Sequence, residues 1–103
     1  MILHINDERE FQEAIKEGKV FVDFFATWCG PCNMLGPVLE EMDQNGEFGD
    51  MKVIKVDVDE APEIAEAYGV QSIPTLLVMK NGNIVNKALG FMPKPMLVKF
   101  LNK

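Results

Sequence analysis

Cys29 and Cys32 are the only thiols in the chain, and two residues separate them. In disulfide exchange the nucleophile is the thiolate, so a working cysteine must sit where its anion is stabilised. The run Trp28-Cys29-Gly30-Pro31-Cys32 follows an apolar, β-branched and aromatic segment and opens a helical pattern. A helix N-terminus presents unsatisfied N–H groups and a partial positive charge. Cys29, just ahead of the helix, should feel both most strongly. Pro31 suits the first turn, where its missing N–H costs nothing. The short spacer lets the second sulfur reach the first, so Cys29 can attack a foreign disulfide and Cys32 can resolve the mixed disulfide.

Two duller uses of this pair compete. A zinc site needs about four ligands, usually Cys and His, and beyond the pair the chain offers only His4. Carboxylates or a second subunit would have to complete such a site, so no metal is expected. Idle buried cysteines would seldom fall at a strand-to-helix junction with Trp before them and Gly-Pro between them. A Cys-x-x-Cys beside a βαβ pattern points to redox chemistry.

The surrounding pattern supplies that junction. Leu3 to Ile5 reads as an edge strand. Asn6 or Asp7 can cap a helix running to about Glu17, with Phe11, Ala14 and Ile15 as its stripe and Gly18 as its stop. Val20 to Phe25 is apolar on both faces, as a central strand covered by helices should be. A helix from Pro31 to about Gln44 follows, with Met34, Leu35, Val38, Leu39 and Met42 on one broad face and Pro37 inside it. Met51 to Val58 is a third strand, and Pro62 opens a short helix to Tyr68 that Gly69 ends. Thr75–Lys80 and Asn83–Leu89 flank Asn81-Gly82, a strong signal for an antiparallel hairpin. A helix from Pro93 to Asn102 closes the chain. The order is βαβαβαββα, an α/β domain of three layers, α/β/α, around a mixed sheet of five strands with four helices.

Size and composition agree. The 103 residues suit one domain, 1–103, and 48% hydrophobic residues suffice for one core without staples. The net charge of −6, with sixteen acids against ten scattered bases, argues against nucleic acid or an anionic membrane as partner. The start Met1-Ile2-Leu3-His4-Ile5-Asn6 has no basic leader, no window has the length of a membrane span, and two cysteines make no secreted framework. A reducing, cytoplasmic setting is expected.

The segment Val22-Asp23-Phe24-Phe25-Ala26-Thr27-Trp28-Cys29-Gly30-Pro31-Cys32 resembles the active-site segment of the thioredoxin family. The likeness continues through Pro37, Lys55-Val56-Asp57-Val58-Asp59, Tyr68-Gly69-Val70, Ile73-Pro74-Thr75, Asn81-Gly82 and Gly90. It implies a thioredoxin fold and dithiol donation to disulfide-containing client proteins, with re-reduction by a thioredoxin reductase. It also implies a monomer with no bound cofactor other than the Cys29–Cys32 disulfide.

The resemblance extends to single residues. Asp23 is the one charged residue in its strand, and apolar neighbours on both faces favour burial, which raises a carboxyl pKa. In the family this position lies beneath the second cysteine and assists its proton transfer, a role that falls to Asp23 with Lys55 as its partner. An isolated X–Pro bond favours trans, but the likeness implies a cis Pro74 that leaves the backbone of Ile73 free to pair with substrate. Trp28, Gly30, Pro31 and Gly90 join Ile73 and Pro74 as the substrate-binding set. Met34 and Met92 are candidate neighbours of the site. Five positions depart from the family pattern. Phe25 stands where Trp is frequent, Asn33 where Lys usually follows the second cysteine, and Phe91 where a small residue is common. Pro93, with Pro95, is unusual at the start of the last helix.

Overall fold

In the computed structural model, which describes residues 1–103, the segment Lys19–Phe25 forms the central strand β2. Its neighbours are β3 (Lys52–Asp57) and β4 (Thr75–Lys80), flanked in turn by β1 (Ile2–His4) and β5 (Asn83–Leu89). The sheet order is β1-β3-β2-β4-β5. β3 runs parallel to both β1 and β2, whereas β4 is antiparallel to β2 and to β5. Helical crossovers allow the parallel pairs, and the Asn81-Gly82 turn makes the last pair antiparallel.

Four helices cover the sheet: α1 (Glu8–Ile15), α2 (Gly30–Gln44), α3 (Pro62–Ala67) and α4 (Lys94–Leu101). Side chains alternate across β2, so each face of it fills a different core. Val20, Val22 and Phe24 pack with Ile54, Val56 and Leu77 against Phe11 and Ile15 of α1 and Ile64 of α3. Phe21 packs with Val53, Leu76 and Val78 against Leu35, Leu39 and Met42 of α2 and Leu97, Phe100 and Leu101 of α4. Asp23 shares the second face with Phe21. The charged residue therefore lies under α2, inside the sandwich.

Several boundaries move from their sequence positions. Asp7 caps α1 by accepting from the N–H of Glu10 at 2.9 Å, but the helix ends at Ile15, short of Glu17. β1 spans Ile2–His4, and Ile5 instead enters the first core. β3 loses Met51 and Val58, and α3 loses Tyr68, whose ring packs edge-on to Phe11 at 5.4 Å. Pro93 precedes α4 as its cap residue, and Pro95 lies in the first turn, where no N–H is needed. α2 begins one residue early, at Gly30, and runs through Pro37 without a break. Asn81 and Gly82 both have positive φ, 50° and 86°, as a type I′ hairpin turn requires.

Candidate active site

β2 ends at Phe25, and the chain turns through Ala26, Thr27 and Trp28 into α2. Cys29 is the N-cap residue of that helix, in extended conformation, and its Sγ accepts from the backbone N–H of Cys32 at 3.2 Å. This is one of the helix's unsatisfied first-turn donors, directed at sulfur. Cys29 and Cys32 are joined as a disulfide with Cα atoms 5.2 Å apart. Both are buried, packed with Ala26 against Phe25, Val58 and Ile73. Gly30 and Pro31 occupy the exposed first turn between them.

The loop before β4 forms the opposite wall. The Ile73–Pro74 peptide is cis, and the carbonyl oxygen of Ile73 lies 3.8 Å from Cys29 Sγ. Gly90, with φ of 91°, follows β5 and donates its N–H to the Pro74 carbonyl at 2.8 Å. Cys29, Cys32, Ile73, Pro74 and Gly90 thus meet at one end of the sheet, although 44 residues separate Cys29 from Ile73.

Trp28 stands on the rim, 71% exposed, and its indole Nε1 donates to Asp59 Oδ2 at 2.8 Å. Asp59 carried no role in the sequence reading. The parallel register explains its place: Phe25 pairs with Asp57, so the residues just beyond β2 and β3 emerge side by side. The sequence signals for it were its place two residues past a strand end and its inclusion in the family-like segment Lys55–Asp59. Asn33, in the usual lysine position, donates from Nδ2 to the Thr27 carbonyl at 3.1 Å and ties the first turn of α2 to the loop before it.

Asp23 is fully buried, and neither carboxylate oxygen has a hydrogen-bonding partner. Burial pushes its carboxyl from the ordinary 3.8 up to about 6, against a smaller lowering by the charge of Lys55. The expected pairing with Lys55 is therefore an action through the field and not a direct contact. Lys55 is the register partner of Asp23, but its ammonium sits over the ring of Phe25, 4.3 Å from the centroid. Of the candidate neighbours, Met34 is 60% exposed on α2, whereas Met92 is half-buried. Phe91, which stands where the family commonly has a small residue, packs with Met92 against the α2–α4 core.

The arrangement suits two-electron exchange between a dithiol and a disulfide. A closed pair sits at a helix N-terminus, with a backbone donor on one sulfur and a buried carboxyl on the covered sheet face beneath the helix.

Comparisons with known proteins agree. A family model described as Thioredoxin matches residues 2–103. Thioredoxin of Bacillus subtilis is 53% identical over 97 residues, covering 93% of this chain and 91% of that protein. Thioredoxin of Listeria monocytogenes is 47% identical over 104 residues, covering 100% of this chain and 98% of its own. Among solved structures, oxidised mitochondrial thioredoxin 3 from Saccharomyces cerevisiae superposes with a TM-score of 0.86 at 35% identity, over 99% of this chain and 95% of that one. A thioredoxin from Malassezia sympodialis gives 0.87 at 33% identity, over 99% and 90%. With its five-stranded mixed sheet, four helices and Cys29–Cys32 disulfide, the chain belongs to the thioredoxin family of dithiol–disulfide oxidoreductases.

Proposed function

We propose that the protein works in the reducing direction on disulfides of client proteins and that a thioredoxin reductase restores its dithiol. The observation that carries this reading is the disulfide at the start of α2, with the Cys32 N–H directed at Cys29 Sγ at 3.2 Å. That donor and the helix terminus favour a thiolate on Cys29 once the pair is reduced. No histidine lies between the cysteines to add a second cation and favour the reduced form further, which keeps the pair a reductant.

The steps follow from the atoms. The Cys29 thiolate attacks one sulfur of a client disulfide; the client S–S bond breaks, a Cys29–client bond forms, and one client thiolate leaves. Cys32 then attacks Cys29 Sγ, the mixed disulfide breaks, and the second client thiolate leaves. Two electrons have passed to the client, and the Cys29–Cys32 disulfide remains. Asp23 takes the proton from Cys32 in the second step, a task for which a carboxyl near 6 is better matched than an ordinary one. Lys55 tunes Asp23 through its charge. The client lies extended across Ile73 and Pro74, pairing with the Ile73 backbone. Trp28, Gly30, Pro31 and Gly90 border it.

No resident metal or organic cofactor takes part in this scheme. Electrons arrive from the reductase through the same sulfurs. A single domain, 1–103, acts as a monomer and neither nucleic acid nor membrane is its partner; no helix is long and apolar enough to cross a bilayer. A reductant of this kind belongs in the cytoplasm, where thiols are kept reduced.

The test is reduction of insulin disulfides by the dithiol form, with a thioredoxin reductase and NADPH as the electron source. Turnover that disappears in Cys29→Ser is expected. A domain that only binds partners would bind insulin without freeing its chains.

A further inference from the structure

Lys55 has a place of its own in the structure. From β3 its side chain reaches the face of Phe25, with Nζ 4.3 Å from the ring centroid. Gly36, mid-helix in α2, is close by: an added Cβ there would lie 3.8 Å from the same nitrogen. The ammonium therefore rests on an aromatic ring and close to α2, and it makes neither an ion pair nor a hydrogen bond with Asp23. An aromatic face attracts a cation at this distance through its quadrupole. A long, hydrated lysine chain without such a hold gains by extending its head into water.

We infer that Phe25 is a positioning residue for the proton step: its ring anchors the Lys55 ammonium under α2, within electrostatic reach of the Asp23 carboxyl. The inference rests on the role given above to Asp23. Charges around Asp23 are otherwise few. On β4 its register partner is Leu76, which is apolar, and on β1 the register partner of Lys55 is His4. His4 meets Phe25 edge-on, with ring centroids 6.5 Å apart. Asp57 on β3 is the register partner of Phe25. α2 brings the Cys29–Cys32 disulfide, and its acids Glu40, Glu41 and Asp43 lie in the last turns. On α4, Lys94 is paired with Glu47, and Lys99 is exposed in the last turn. Lys55 is thus the cation whose placement matters to Asp23, and Phe25 is what places it.

The contact can be read in the oxidised protein by NMR. In the wild type, the ε-methylene protons of Lys55 should be shifted upfield by the ring current of Phe25. Unshifted protons overturn the inference without any mutation. Phe25→Leu frees the ammonium for solvent and should raise the Asp23 carboxyl titration by roughly half a pH unit, the size expected when a cation retreats by a few ångströms at an effective dielectric near 20. The same substitution also alters burial, so it is repeated in a Lys55→Met background. The upward shift should be absent there, and Phe25→Trp, which keeps a ring face, should not show it with Lys55 present. An equal shift in both backgrounds, or none in either, overturns the inference. The pH profile of the exchange rate separates the two levels of argument. If the Asp23 titration moves and the rate profile does not follow, the proton role of Asp23 fails, and the catalytic meaning of the contact fails with it.

Discussion

The backbone N–H of Cys32 points at the sulfur of Cys29, 3.2 Å away, while no donor is directed at the sulfur of Cys32. The two sulfurs are therefore unequal before any substrate arrives, because only Cys29 caps the helix. Cys29→Ser should abolish turnover, since a hydroxyl does not form the required anion. Cys32→Ser should still attack and then stall as a mixed disulfide. Trapping of a disulfide-containing client by each variant, read on non-reducing gels, checks this. Equal trapping by the two variants would contradict the assignment.

Asp23 links stability to pH. Its carboxyl is at about 6 in the folded chain against an ordinary 3.8. Below the lower value both folded and unfolded chains are protonated, and burial carries no ionisation cost. Between the two values the unfolded chain ionises first, so stability falls as pH rises. Above about 6 the loss is complete and amounts to an order of 3 kcal/mol. Asp23→Asn removes this dependence. The variant should be more stable than the wild type at neutral pH, with the advantage fading toward pH 3, and it should exchange disulfides more slowly. Urea denaturation of both oxidised proteins across the acid range measures the difference. An advantage independent of pH would place the ionised carboxylate in water.

Trp28 is the sole tryptophan, so its own fluorescence reports on its hold to Asp59. Asp59→Ala removes the acceptor of the indole N–H. The ring should become more mobile, with lower fluorescence anisotropy, and client reduction should slow by about fivefold, the equivalent of one hydrogen bond of about 1 kcal/mol. Asp59→Asn keeps an acceptor oxygen and should recover most of both. Unchanged anisotropy in Asp59→Ala would show that the indole is held by other contacts.

Much of this molecule was legible in the amino-acid order because the relevant signals are local. The helix start at Cys29, the break at Gly18, the Asn81-Gly82 turn and the all-apolar run of β2 each depend on neighbours a few residues away, and the element order followed from them. The pair of cysteines and its chemistry were equally local, as was the expectation that Asp23 is buried. Boundaries were less legible: Ile5 and Tyr68 leave their elements because each finds a better place in the core beneath α1 and α3. That choice is made by packing and not by propensity.

Tertiary structure decided what meets across the sheet, apart from the Asp23–Lys55 pairing that the family resemblance implied. Strand register brings Asp59 beside Trp28 and Lys55 beside Asp23, and nothing in the local pattern specifies which residues of two distant strands stand opposite each other. It also decided that Lys55 turns to the face of Phe25 and leaves both oxygens of Asp23 without a partner. A sequence states which groups can ionise. How far apart their charges come to rest, and how much water is left between them, depends on the fold as a whole, because field and desolvation are set by everything packed around them.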